Sequence, residues 1–213
     1  MLGLPRHQIP NALTVLRAIL AAAFFAALAG FTVPDEGRLW GNVALALFIL
    51  AAITDALDGA LARRWNVVSI FGRIMDPFCD KVLVLGAFVA LAGARFHDAD
   101  RDTLFDMATG VYSWMVVVIV ARELLVTGIR GVVESMGVTF GSNWSGKAKM
   151  ILQSITLPLV LFLTVNLDPL ANAWVWWTNH VLMGLTLVIT VWSGLPYITG
   201  ARAILARTAT SES

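Results

Sequence analysis

Residues 54–80 read TDALDGALARRWNVVSIFGRIMDPFCD, and four aspartates punctuate them. Asp55 and Asp58 are three apart and Asp76 and Asp80 four apart, so on a helix each pair shares one face. Runs of Ala, Leu, Ile and Phe surround them. A carboxylate in a membrane-embedded helix is costly and needs a neutralising partner. Divalent cations are the simplest partner. Oxygen donors without His or Cys suit Mg2+ or Mn2+, and four carboxylates balance two such ions. Two metals about 3.5–4 Å apart can clamp a phosphoryl group and activate its attacker. A salt-bridge network with Arg63, Arg73 and Lys81 is the structural alternative.

The surrounding composition supports a membrane setting. Of 213 residues, 58% are hydrophobic and only 14% charged, with a mean hydropathy of +0.78. A soluble domain carries about a quarter charged residues. This excludes an ordinary soluble protein and predicts an all-α, polytopic membrane bundle forming one domain over residues 1–213. At ~20 apolar residues per crossing, the hydropathy predicts six spans, near 11–31, 40–62, 70–94, 104–127, 147–166 and 173–200. The first apolar run is interrupted by Arg17 and lacks a small-residue cleavage site, so it reads as a permanent helix. The single cysteine, Cys79, excludes an intrachain disulfide and a Cys-rich metal site, and its place off the aspartate face suggests packing. His7, His97 and His180 form no metal set.

Charge sets the orientation. Six spans put Arg6, Arg17, Arg63, Arg64, Arg73, Lys81, Arg122, Arg130, Lys147, Lys149, Arg202 and Arg207 on the side of the termini, against Arg38, Arg95 and Arg101 opposite. The positive-inside rule then makes both termini cytoplasmic, in a bacterial-type inner membrane. Trp174, Trp176 and Trp177 read as an interfacial aromatic belt, and Asp98, Asp100, Asp102 and Asp106 as solvated charge in an outer loop. Asp55 lies ~13 Å of helix before Arg64 and Asp80 ~10 Å after Arg73. All four aspartates thus fall just below the cytoplasmic headgroup plane, facing a polar cavity.

The order Asp55-x2-Asp58-Gly59-x2-Ala62-Arg63-x8-Gly72-x3-Asp76-x3-Asp80 resembles the signature of the CDP-alcohol phosphotransferase family at all its positions. That resemblance implies a six-helix membrane enzyme, a homodimer, moving a phosphoalcohol group from a CDP-linked donor to an alcohol with release of CMP. It implies two divalent cations, Mg2+ or Mn2+, held by Asp55, Asp58, Asp76 and Asp80. Asp80 is also the implied base that deprotonates the acceptor. Asp58, Gly59, Ala62, Arg63, Ser69 and Gly72 are implied to hold the cytidine diphosphate. Without the resemblance, Gly59, Ala62 and Gly72 also suit close helix packing, and Arg63 and Arg64 suit interfacial anchoring.

Other stretches narrow the acceptor. Pro10-Asn11-Ala12-Leu13-Thr14-x2-Arg17 is similar to the opening of phosphatidylglycerophosphate synthases, which implies Asn11 and Thr14 at the nucleotide; Asn11 also suits a helix N-cap. Ala121-Arg122-Glu123-Leu124, Arg130 and Gly146-Lys147-Ala148-Lys149 resemble the same enzymes, with Met150 where a Thr is usual. The implied partners are CDP-diacylglycerol, sn-glycerol 3-phosphate and membrane lipids, with no nucleic acid. Glycerol 3-phosphate is close to doubly negative, and Arg122, Arg130, Lys147 and Lys149 are the cations placed to bind it, with Glu123 orienting an arginine. The same four cations also fit the positive-inside rule or anionic lipid headgroups. A cardiolipin synthase, a phosphatidylinositol phosphate synthase or a divalent-cation transporter are the alternatives. The transporter gives no reason for the fixed glycines and Arg63.

Overall fold

The computed structural model describes residues 9–33, 36–65, 70–98, 105–138 and 144–211. Those residues form α1 (Ile9–Leu28), α2 (Arg38–Trp65), α3 (Ile70–Leu91), α4 (Ser113–Ser135), α5 (Trp144–Asn166), α6 (Ala173–Trp192) and α7 (Leu195–Ser211). Among them the only β pairing is two isolated bridges, Thr32 with Glu36 and His97 with Met107. The all-helical expectation holds. Among the described residues, four stretches are long and apolar enough to cross a membrane: Asn11–Leu28, Arg38–Leu57, Trp144–Asn166 and Ala173–Arg202.

The core forms where α1 packs on α2 and α3. Ala21, Phe24, Ala27 and Leu28 of α1 meet Ala44, Phe48 and Ala51 of α2, with Phe24 and Phe48 edge to face at 5.5 Å. Small residues alternating with rings let the two backbones approach closely, the usual packing solution between apolar helices. The far side of the bundle is held differently. On α5, Lys149, Gln153, Thr156, Val160 and Thr164 recur at helical spacing and are buried. They face Asn179, Met183, Thr186 and Thr190 of α6, also buried. Gln153 Nε2 donates to Thr190 Oγ1 (3.1 Å), Thr186 Oγ1 to Thr156 Oγ1 (3.2 Å) and Asn179 Nδ2 to Thr164 Oγ1 (3.1 Å). The opposite faces are the exposed apolar stripes Ile151, Ile155, Leu159 and Phe162 on α5, and Trp174, Trp177, Val181, Leu185 and Val188 on α6. Polar groups inside and hydrocarbon outside is the arrangement a bilayer demands.

Two boundaries differ from the sequence expectation. The fourth helix begins at Ser113 rather than near residue 104. Residues 105–112 instead fold as an irregular segment whose Ala108, Thr109 and Val111 are fully buried. It is tied down by Ala108 N–H to Phe96 O (2.8 Å), Asp98 N–H to Asp106 O (2.7 Å) and Thr109 Oγ1 to Leu91 O (2.9 Å). Gly110 makes its turn at φ +68°, where a Cβ would lie 2.9 Å from the His180 backbone. These ties also revise the acidic loop: Asp98 is buried and Asp106 pairs with His97 at 2.8 Å, while Asp100 and Asp102 lie outside the described residues. The last predicted span breaks at Ser193–Gly194, and α7 starts anew with Pro196 in its first turn, where a missing N–H does no harm.

The tryptophan cluster divides in the same way. Trp174 and Trp177 face outward, but Trp176 is buried and stacks on His180 at 3.7 Å.

Candidate active site

α2 and α3 follow one another in the chain, and residues 66–69 between them lie outside the described residues. Asp55 is ten residues before Trp65 and Asp80 ten after Ile70, so each sits ~15 Å of helix from the end of its own helix, and the two interact electrostatically. α2 is 28 residues long, or ~42 Å, more than the ~30 Å of a hydrocarbon core. Asp58, Gly59, Ala62, Arg63, Gly72 and Asp76 fall on α2 and α3, but their side chains, and Ser69 altogether, lie outside the described residues.

The described carboxylates have defined surroundings. Asp55 Oδ1 is 2.6 Å from Nη1 of Arg17, whose side chain is only 1% exposed. Asp80 is half-buried and faces Asp55 and Glu123 as like charges, and Lys149 and Arg17 as opposite ones. Two carboxylates that repel each other gain from a cation between them. Their all-oxygen donors suit Mg2+ or Mn2+. Among the described residues no group of three or more His, Cys, Asp or Glu side chains converges. Thr14 is buried one turn before Arg17 on α1, and Asn11 is half-buried. Cys79 is buried, as packing requires.

Asp80 opens into a cavity of about 780 Å³. α3 contributes Asp80 and Lys81, α4 Arg122, Glu123, Thr127 and Arg130, α5 Gly146, Lys147, Lys149 and Met150, and α7 Tyr197. All four cations singled out for the acceptor phosphate therefore line the same cavity as Asp80.

They are not equivalent. Arg122 donates from Nε to Thr190 O (3.1 Å), from Nη1 to Glu123 Oε1 (2.8 Å) and from Nη2 to Ser193 Oγ (2.9 Å). Where the chain breaks after α6, Gly194 N–H bonds Val191 O instead of continuing the helix. Ser193 Oγ (2.7 Å) and Arg122 Nε both donate to the Thr190 carbonyl left at that break. Three of its five N–H donors are thus engaged by the protein. Lys149 bonds Glu123 Oε1, the oxygen that Arg122 also binds, so Glu123 does orient an arginine and a lysine with it. Arg130 is half exposed, and its ion-pair partner among the described residues is Glu134 at 3.8 Å. Lys147 is exposed at the cavity wall. Lys81 donates to Thr127 Oγ1 (2.6 Å), tying α3 to α4.

Sequence reasoning passed over Arg17 and Tyr197 as site residues. An arginine inside an apolar run signals a buried partner, and that partner is Asp55. Tyr197 is buried and lines the cavity, its hydroxyl 3.1 Å from where a Cβ on Gly146 would lie. Only the break before α7 could have pointed to it.

The family model described as CDP-alcohol phosphatidyltransferase matches residues 7–192. The chain is 34% identical over 207 residues to a CDP-diacylglycerol–glycerol-3-phosphate 3-phosphatidyltransferase of Escherichia coli (strain K12), covering 94% of this chain and 98% of that protein. Proteins of the same description from Shigella flexneri serotype 5b and Shigella boydii serotype 4 match with the same identity and coverage.

Proposed function

The chain belongs to the CDP-alcohol phosphatidyltransferase family, and from that premise we propose that it transfers the phosphatidyl group of CDP-diacylglycerol to sn-glycerol 3-phosphate, giving phosphatidylglycerophosphate and CMP. One observation carries the choice of a phosphate-bearing acceptor, which inositol phosphate would meet as well and only the finer motif resemblance tells apart: Asp80 shares its cavity with Arg122, Arg130, Lys147 and Lys149. A doubly charged phosphate monoester needs such cations beside an acidic centre, whereas a neutral alcohol does not. The name borne by the Escherichia coli and Shigella relatives supports the same substrates.

In this reading the acceptor phosphate lies among those cations, with its hydroxyl at Asp80. The hydroxyl oxygen attacks the phosphorus next to the diacylglycerol, and its proton passes to the Asp80 carboxylate. The pyrophosphate P–O bond breaks, and CMP leaves with the bonding electrons. Asp55, Asp58, Asp76 and Asp80 would hold two divalent cations, Mg2+ or Mn2+, which supply charge neutralisation at the pyrophosphate. Asn11, Thr14, Asp58, Gly59, Ala62, Arg63, Ser69 and Gly72 are the positions for the cytidine diphosphate. Positioning and electrostatics supply most of the rate.

The topology belongs to the same proposal. One domain over residues 1–213 crosses a bacterial-type inner membrane six times, with both termini and the cavity cytoplasmic, and pairs as a homodimer. The twelve-to-three partition of Lys and Arg supports the orientation. The test is CMP release by purified protein in detergent, with CDP-diacylglycerol, Mg2+ and a panel of acceptors. Glycerol 3-phosphate is expected to give turnover, and phosphatidylglycerol and inositol phosphate not. Turnover with inositol phosphate alone would overturn the acceptor and leave the transfer chemistry standing.

A further inference from the structure

We propose that Arg17 is a positioning residue of the carboxylate centre: from α1 it holds one oxygen of Asp55 and presents the other to a divalent cation. The assignment rests on the two-cation reading above. Among the described residues Arg17 is one of the largest fully buried side chains, in a helix that is Ala, Leu, Ile, Val and Phe around it apart from Thr14. A guanidinium does not lose its proton in such surroundings, so it requires an anion. Asp55 Oδ1 meets it at 2.6 Å.

The pair is lopsided. Arg17 is 1% exposed and the Asp55 side chain 39% exposed. The carboxylate is therefore sealed on the α1 side and open on the other. Arg17 also acts on Asp80 as an opposite charge, so it lies close to both described acids of the centre. A carboxylate pinned by one oxygen offers the other in a single orientation, without waiting for the metal to order it. Partners of ligating carboxylates of this kind are worth roughly 10–100-fold in metal affinity.

A merely structural pair, anchoring α1 on α2, would affect thermal stability and leave metal affinity alone. Mn2+ titration followed by electron paramagnetic resonance separates the two roles. It is run on purified full-length protein in detergent, with melting temperature measured in parallel. Arg17→Gln is expected to weaken Mn2+ binding about tenfold or more. Arg17→Lys keeps the charge and loses the planar fork, so it falls between Arg17→Gln and the unsubstituted protein. Mn2+ affinity unchanged or tightened in folded Arg17→Gln overturns the assignment. If Arg17→Gln does not fold, Arg17→Lys decides: several-fold weaker binding supports it, and unaltered affinity overturns it. Absence of Mn2+ binding by the unsubstituted protein would overturn both this assignment and the metal reading beneath it.

Discussion

The Lys149 ammonium on α5 and the Arg122 guanidinium on α4 bind the same oxygen of Glu123, joining the two helices at the wall of the cavity. Lys149 and Glu123 are about nine-tenths buried, at 10% and 12% exposure. Removing one member of a buried pair strands the other, at a cost of about 3 kcal/mol or more. Glu123→Gln is expected to lower the melting temperature and to raise KM for glycerol 3-phosphate, because both cations lose their orientation. Combining it with Lys149→Met removes the stranded charge as well. The double variant is expected to regain stability without regaining activity. Thermal unfolding in detergent and CMP-release kinetics read the two effects separately.

Arg122 and Arg130 line one cavity but do different work. Arg122 holds Thr190 O and Ser193 Oγ at the α6–α7 break, so Arg122→Gln is expected to reduce both stability and acceptor affinity. Among the described residues Arg130 has a half-exposed ion pair at 3.8 Å, an interaction worth about 0–1 kcal/mol. Arg130→Gln is therefore expected to leave the melting temperature within a degree or two, on the order of what so weak a pair supports, while KM for glycerol 3-phosphate rises about tenfold. A fall in stability without a KM effect in Arg130→Gln would place the phosphate elsewhere.

Gly110 provides a control at the opposite end of the bundle. Its φ is +68°, and a Cβ there would lie 2.9 Å from the His180 backbone, so any side chain is doubly unfavourable. The left-handed backbone alone costs about 1–2 kcal/mol for an L residue. Gly110→Ala is expected to lower the melting temperature clearly. KM for either substrate should stay unchanged in the folded fraction, since Asn179 and His180 lie in the first half of α6 and the cavity lies beyond its far end.

What could be read from the chain depended on how local the signal was. The aspartate pairs were legible because three- and four-residue spacings fix a helix face without tertiary knowledge. Arg17 announced a need for a partner, but the identity of that partner lies 38 residues away on another helix and required the fold. The segment 105–112 is apolar enough to look helical; only Gly110 spoke against it, and its burial follows from long-range ties to Leu91 and Phe96. The interhelical ladder of Gln153, Thr156, Thr164, Asn179, Thr186 and Thr190 was present as a helical period. It was masked by the hydrocarbon-facing residues between its members. Ser193, Gly194 and Pro196 marked the α6–α7 break locally, but hydropathy runs through it to Arg202.

Asp80 offers the sharpest separation of chemistry from stability. It is half-buried between the like charges of Asp55 and Glu123 and the opposite charges of Lys149 and Arg17, so its charge is only partly balanced in the metal-free fold. Asp80→Asn keeps the size and hydrogen-bonding capacity of the side chain and removes that charge. The melting temperature of metal-free protein is therefore expected to hold or rise. Turnover should fall by a factor of about 10²–10⁴ or beyond detection, the range for loss of a positioned general base. CMP release measured beside the thermal unfolding of one preparation tests both. Undiminished turnover would remove Asp80 as the base. A loss of turnover together with a clearly lower melting temperature would make its role structural, as the partner of Lys149 and Arg17.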